Sequence, residues 1–447
     1  MNFQEFKQAV IAKCGELGIA EYELYYQVGG STEVDVFQHE INGFSSNLEG
    51  GVCFRCIVDG KMGYASTQAL NESEACAIVE RAADNARTLE SDDEVFLGEG
   101  GQEYEVLDRK PYELPSTEAL IAAALKTQEA LYTQEGIIDG CQSQALMQNS
   151  TVAIVNSKGL DLCYHNTAAG IITVAVVSNG TEMENSFAFK LGKLDTISIE
   201  ELTSKAAAKA RQKLGGDVAP TGQYPVVFSP DAMSSLLQVY ASIFSAEAAQ
   251  KGLSKLADAE GSLIASPVVT LVDDPFHPEN PEPTTFDAEG SPTHRKNVIE
   301  QGVLNTLLHN LKTAHKAGKK TTGNGSKAGY TSPVGIRPFT MYLAGSELSE
   351  EALLAQVGNG VYINSLAGLH AGADPISGDF SLQSAGFMIE NGEKTTYVKS
   401  FTVAGNFYDV LKNIQAVANN VELPMAMGMT AFGAPSTWVN GLSIAGK

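Results

Sequence analysis

The chain has 447 residues, 43% of them apolar, and sets 30 basic residues against 53 acidic ones for a net charge of −23. That length exceeds one ordinary core, so two domains are expected and three allowed; that charge opposes direct binding to nucleic acid or an anionic membrane surface. No apolar run of about 20 residues predicts a membrane span, the N-terminus lacks a signal-like run, and six cysteines make no disulfide scaffold in so long a chain, so a reduced, cytoplasmic protein is the expectation.

The elements are expected in this order. An amphipathic helix opens the chain, with Phe3, Phe6, Val10, Cys14 and Leu17 at helical spacing. Segments 21–28 and 32–41 alternate at period two and predict two half-buried strands. Segment 51–67 predicts a hairpin turning at Asp59-Gly60. Asn71 then caps a helix with Ala75, Ile78, Val79, Ala82 and Ala86 on one face. After a polar stretch at 88–113 the layout repeats: Ser116 opens a helix, strands cover 137–190 with a turn at 156–159, and Ser198-x-x-Glu201 predicts a capped final helix.

Gly215–Gly222 has the composition of a boundary. It divides an N-terminal α+β domain, 1–218, composed of units 1–90 and 114–218, from a strand-rich C-terminal domain, 219–447, expected as a barrel or a twisted antiparallel sheet. Within the second domain, 224–230 reads as strand and turn, 231–250 as one helix, and 267–296 as a proline-rich loop. Segment 372–406 reads as a turn, two strands joined at Asn391-Gly392, and a helix capped by Asn406 with Phe407, Val410, Leu411 and Ile414 on its apolar face. Segment 424–446, carrying the single tryptophan Trp438, predicts a closing strand pair.

Motifs with chemistry are few. Cys53-x-x-Cys56 sits mid-strand without further ligands nearby and predicts buried cysteines. Asp273, His277 and Glu279 collect carboxylates and an imidazole, but the prolines among them hold an extended, solvated acidic loop. Lys312, His315, Lys316, Lys319 and Lys320 predict a solvated basic helix face. The terminal Gly441–Lys447 resembles part of a phosphate loop but lacks the helix that such a loop requires.

Taken together, FDAEGSPTHRKNVIEQGVL (286–304), TTGNG (321–325), GVYINSLAGLHAGADPISGDFSLQSAGFMIENGE (360–393) and FTVAGN (401–406) resemble the TldD/PmbA family, the "modulator of DNA gyrase" proteins understood as peptidases. The similarity extends over nearly the whole chain. In the TldD branch of the family, an H-E-x-x-x-H helix follows the VV(L/F)-x-P strand and a distant cysteine adds a zinc ligand; the histidines hold the metal and the glutamate activates its water. Here those positions are Gln238, Val239 and Ile243, and 418–432 contains no cysteine, with Glu422, Met425, Met427 and Met429 in its place.

The resemblance therefore implies the PmbA/TldE branch: a non-catalytic subunit without metal of its own, paired in a heterodimer with a zinc-bearing TldD-type chain. Together they would cut unfolded or precursor peptides, as in peptide maturation. His370, Gly378, Asp379, Phe380 and Ser381 are the signature residues expected to form or support a peptide groove, since extended strands can hold an extended peptide. Turn stabilisation is the competing role for His370, Asp379 and Ser381. The alternatives are a self-sufficient peptidase with a site relocated to Asp273, His277 and Glu279, and a regulatory binding protein of gyrase-modulator type; a homodimer of the isolated chain also stays open.

Overall fold

Four capped helices frame the N-terminal half. Asn2 caps α1 (Phe3–Leu17) through a reciprocal box with Glu5, Asn71 caps α2 (Glu72–Thr88), Ser116 caps α3 (Thr117–Tyr132), and Ser198 caps α4 (Ile199–Arg211). Each side chain accepts a backbone N–H that the helix itself cannot satisfy. The computed structural model describes residues 1–90, 93–108, 110–280, 282–424 and 430–447; Met425, Met427 and Met429 lie outside them.

These helices pack on one antiparallel sheet of six strands: β1 (Glu21–Phe37), β2 (Glu40–Val58), β3 (Lys61–Thr67), β4 (Gln142–Asn156), β5 (Asp161–Ser178) and β6 (Met183–Leu191), ordered β3-β2-β1-β4-β5-β6. The two helix–strand–helix layouts thus merge along the β1–β4 pairing. One expectation fails here: 21–28 and 32–41 are not two strands, because β1 continues through Gly29 and Gly30 to a turn at Gln38 and His39. The glycines mark close strand approach instead of a turn. A Cβ on Gly29 would stand 3.0 Å from the Asn149 carbonyl oxygen of β4.

The C-terminal half begins with β7 (Asp217–Val218) and β8 (Gly222–Phe228), which leads into α5 (Pro230–Tyr240). The single helix expected over 231–250 is broken. A 3₁₀ turn, Ala241–Phe244, intervenes, and Ser245 starts a new cap for α6 (Ala246–Gln250) by accepting from the Ala248 N–H. Strands β9 (Leu271–Asp273), β10 (Lys296–Glu300) and β11 (Val303–Leu304) follow, then α7 (Leu311–Lys316) and the small pair β12 (Gly325–Ser326) and β13 (Gly335–Ile336). With β14 (Thr340–Leu343) and β19 (Ala431–Gly433), the first three make a sheet ordered β11-β10-β9-β14-β19.

Helices α8 (Glu350–Val357), α9 (Leu369–Gly372) and α10 (Phe407–Asn413) punctuate the remaining strands: β15 (Gly360–Ala367), β16 (Asp379–Glu390), β17 (Glu393–Asn406), β18 (Ile414–Val417) and β20 (Thr437–Ala445). Strands β20-β8-β15-β16-β17 run in that order, and β17 pairs back onto β20 at Thr402–Ala445, which closes a five-stranded barrel. Of the two C-terminal architectures open at the sequence level, the barrel is the one observed, and the fold is α+β. Asn391 and Gly392 turn the β16–β17 hairpin with φ of 54° and 85°. Val226, Phe228, Val361, Ile363, Leu382 and Val403 share one core with Leu236, Leu237 and Tyr240 of α5. Among the described residues no helix is long and apolar enough to cross a membrane.

Candidate functional site

The signature begins where α9 hands over to β16. His370 is exposed on α9. Asp374 then organises a tight turn: its carboxylate accepts from the Ile376 N–H at 2.8 Å and its carbonyl from the Gly378 N–H at 2.8 Å. Gly378 has φ +85°, and a Cβ there would lie 2.5 Å from the Tyr408 ring. Only glycine fits that conformation and that approach. The Gly378 carbonyl in turn accepts from the Phe407 N–H at 2.7 Å, fastening the turn to the start of α10.

Side chains alternate along β16 as a half-buried strand requires. Asp379 and Ser381 are exposed, while Phe380 is buried in the barrel core. Asn406 donates its amide to the Asp379 carboxylate at 2.8 Å and to the Ser377 carbonyl at 2.9 Å, while its oxygen accepts from the Tyr408 N–H at 3.1 Å as the cap of α10. The hydrogen bond from Asn406, helped by Ser377, holds the Asp379 carboxyl below its usual range. Asp379 is thus built into the turn, whereas Ser381 and His370 stand on the surface beside it.

Helix α5 reaches this turn directly. The Tyr240 hydroxyl donates to the Asp379 carbonyl at 2.8 Å, and the Tyr240 ring stacks on Phe407 with centroids 4.4 Å apart. The three positions of the metal motif lie on the same segment but face different surroundings. Gln238 is exposed, Val239 packs against the core, and Ile243, on the 3₁₀ turn, is 1% exposed within it. Val239 and Ile243 offer no donor atom to a cation, so these residues do not fit a zinc ion. Glu422, from the segment where the cysteine ligand would lie, pairs with Lys205 at 3.4 Å.

The Asp273, His277 and Glu279 grouping does not assemble. Asp273 is not part of a solvated loop, as its sequence suggests, but a fully buried residue of β9. Its oxygens are taken by Lys296 Nζ (3.2 Å), Asn324 Nδ2 (2.8 Å) and the Phe339 N–H (2.8 Å). The proline-rich segment supplies a strand there, and the buried charge needs its lysine. His277 and Glu279 remain neighbours, the Glu279 N–H donating to Nδ1 at 3.2 Å, but Glu279 turns out to Lys190. Cys53 and Cys56 are both buried, on opposite faces of β2, since a spacing of three is odd in a strand. In the basic cluster, Lys312 pairs with Asp93 and His315 with Glu94, each at 2.8 Å.

Sequence reasoning misses a cluster between the halves. Arg55 on β2 is 5% exposed and bonds Glu23 on β1 through Nε at 2.7 Å. Facing it, Asp287 and Glu289 of the FDAEG turn are buried. Asp287 accepts from the Glu289, Ser291 and Gly325 N–H groups at 2.7–3.0 Å, and Glu289 accepts from the Leu311 N–H at 2.7 Å. Burial, reinforced by Glu289, pushes the Asp287 carboxyl up to about 7. Arg55 and Glu289 line a cavity of about 720 Å³ with Tyr64, Asn310 and Lys316. The only local signal was the FDAEG word, which carries no information about Arg55, 232 positions before Asp287.

Three family domains match the chain: PmbA/TldA metallopeptidase domain 1 over residues 22–86, the central domain over 110–214 and the C-terminal domain over 221–446. The metalloprotease PmbA of Escherichia coli O157:H7 is 26% identical over 391 residues, 86% of this chain and 84% of that protein. A metalloprotease of Methanothermobacter thermautotrophicus is 27% identical over 391 residues, 85% and 83% of the two. Among solved structures, a Thermotoga maritima protein described as a modulator of a DNA gyrase superposes with a TM-score of 0.90 at 30% identity, covering 99% of this chain and 100% of that one. TldE from Thermococcus kodakarensis gives 0.87 at 24% identity over 97% and 99%, a likeness of fold.

Proposed function

This chain belongs to the PmbA/TldD metallopeptidase family, and we propose that within it the chain is a PmbA/TldE-type subunit that does not itself bind the catalytic zinc. It pairs with a zinc-bearing TldD-type chain and completes a groove in which an unfolded or precursor peptide is held and cut. The observation that carries this reading is the chemistry of α5 and the 3₁₀ turn after it: Gln238, Val239 and Ile243 occupy the motif positions, and Ile243 is packed into the core. The signature turn supports the rest. Gly378, Asp379 and Phe380 are fixed by Asn406, Tyr240 and the barrel, leaving Ser381 and His370 exposed beside a β-strand that can frame an extended peptide. Domain boundaries near 90, 114 and 218 belong to the same proposal, as does a cytoplasmic location.

The test is reconstitution. The purified chain should bind less than one zinc per chain and cleave no peptide, and activity should appear on adding a TldD-type chain with an intact H-E-x-x-x-H helix. Stoichiometric zinc in the isolated chain, with a peptidase activity abolished by chelation, would overturn the proposal. His277→Ala should leave the activity of the reconstituted pair within about two-fold.

A further inference from the structure

A second cavity, of about 520 Å³, lies between α6 and the segment after α7. Alanines and Leu307 give it apolar walls, and its charge and polarity come from His309 and Glu260 with Asp258, Lys316 and Lys319. His309 is 2% exposed, yet its Nε2 has no hydrogen-bond partner. The hydrogen bonds around Thr313 assign the ring's tautomer. Thr313 Oγ1 donates to Asn310 Oδ1 (3.0 Å) and accepts from the Asn310 N–H (3.1 Å), so at 3.3 Å from His309 Nδ1 it accepts the proton carried there. Nε2 is left as a buried lone pair, and a buried acceptor without a donor is costly.

Beside it stands a carboxylate. Glu260 Oε1 lies 3.9 Å from His309 Nε2 and accepts from the Leu307 N–H at 2.7 Å, while Oε2 pairs with the half-exposed ammonium of Lys319. Two acceptors side by side call for a donor with several protons. Glu260 already holds one such donor from within the chain, the Lys319 ammonium on Oε2, which leaves Nε2 unpartnered and rides on a flexible stem that can swing into solvent. Burial lowers the His309 pKa and so preserves the neutral ring.

We infer that this cavity binds a primary ammonium group, of the kind a peptide's amino terminus presents, between His309 Nε2 and Glu260, with Lys319 as the internal competitor for the Glu260 carboxylate. The inference deepens the peptide-handling reading by naming the end of the peptide. Because it is measured on the isolated chain, its failure leaves the partner question untouched, and failure of reconstitution leaves this site standing.

The probes are trialanine amide with a free amino terminus and its N-acetylated form, titrated into ¹⁵N-histidine-labelled protein. The free amine should shift the His309 Nε2 resonance and the acetylated peptide should not. Glu260→Gln, which retains an oxygen for the Leu307 N–H, should weaken binding at least tenfold; Lys319→Met should tighten it at least threefold. Equal response to both peptides, no shift at 10 mM free amine, or unchanged or weaker binding in Lys319→Met would each overturn the assignment. The Lys319 variant alters a half-exposed side chain, so it stays informative if substitutions at His309 do not fold.

Discussion

The Tyr240 hydroxyl donates to the backbone carbonyl of Asp379 at 2.8 Å, across 139 positions of sequence. That bond joins α5, which carries Gln238 and Val239, to the turn bearing Gly378 and Asp379, and the Tyr240–Phe407 stack reinforces it. The helix α5 and the signature turn are therefore one packed unit. Disturbing either should be felt at the other.

Tyr240→Phe removes one hydrogen bond and little else, so it should cost about 1 kcal/mol. Gly378→Ala should cost more, on the order of 1–3 kcal/mol for the positive φ alone, before the clash with the Tyr408 ring. Urea unfolding monitored by Trp438 fluorescence measures both. A Gly378→Ala chain as stable as the parent would contradict the close approach of the Tyr408 ring to position 378.

Rewriting the motif should not create a zinc site. The triple substitution Gln238→His, Val239→Glu, Ile243→His sends an imidazole into a packed core at position 243, where burying an unpaired polar group costs roughly 1–3 kcal/mol or more. The expected outcome is a lower melting temperature and less than one bound zinc by atomic absorption. Stoichiometric zinc with unchanged stability would show that position 243 is not held in the core.

Asp287 sets a pH dependence whose sign follows from its raised pKa. A carboxyl titrating near 7 when folded and near 4 when unfolded binds more protons in the folded state between those values. Its contribution to stability is full below about pH 4 and is lost progressively as pH rises to about 7. Asp287→Asn removes that dependence, so the stability difference between parent and variant should change across this window and level off above it. Urea midpoints at stepped pH read the difference; a flat one between pH 4 and 7 refutes the shift.

Arg55 and Glu23 are a buried pair, and breaking such a pair leaves an uncompensated charge. Arg55→Met should destabilise the chain by about 3–5 kcal/mol, since Glu23 would retain only the Asn156 amide at 3.2 Å. Adding Glu23→Leu to Arg55→Met should recover much of the loss. A single substitution costing under about 1 kcal/mol would mean that water already reaches the pair.

Much of the local structure was legible because its causes are local. Asn71, Ser116, Ser198 and Asn406 cap helices with their own side chains, and Asn391-Gly392 turns a hairpin because both residues accept positive φ. The failures were equally physical. Gly29-Gly30 separates 21–28 from 32–41 unless the neighbouring strands are known, and 231–250 does not show the 3₁₀ turn at Ala241–Phe244 or the new cap at Ser245. Asp273 looked solvated because nothing in its own segment announces Lys296, Asn324 and the Phe339 N–H.

By itself, then, the sequence determined the capped helices, the hairpins, the family words and the residue types at positions 238, 239 and 243, because each depends on side chains a few positions apart or on identity alone. Tertiary structure decided the barrel closure of β17 on β20, the Arg55–Glu23 pair opposite Asp287 and Glu289, the Tyr240–Asp379 link, and the meeting of His309 with Glu260. Those depend on which distant groups share a desolvated volume. Burial, not sequence spacing, fixes which of those charges and lone pairs are satisfied.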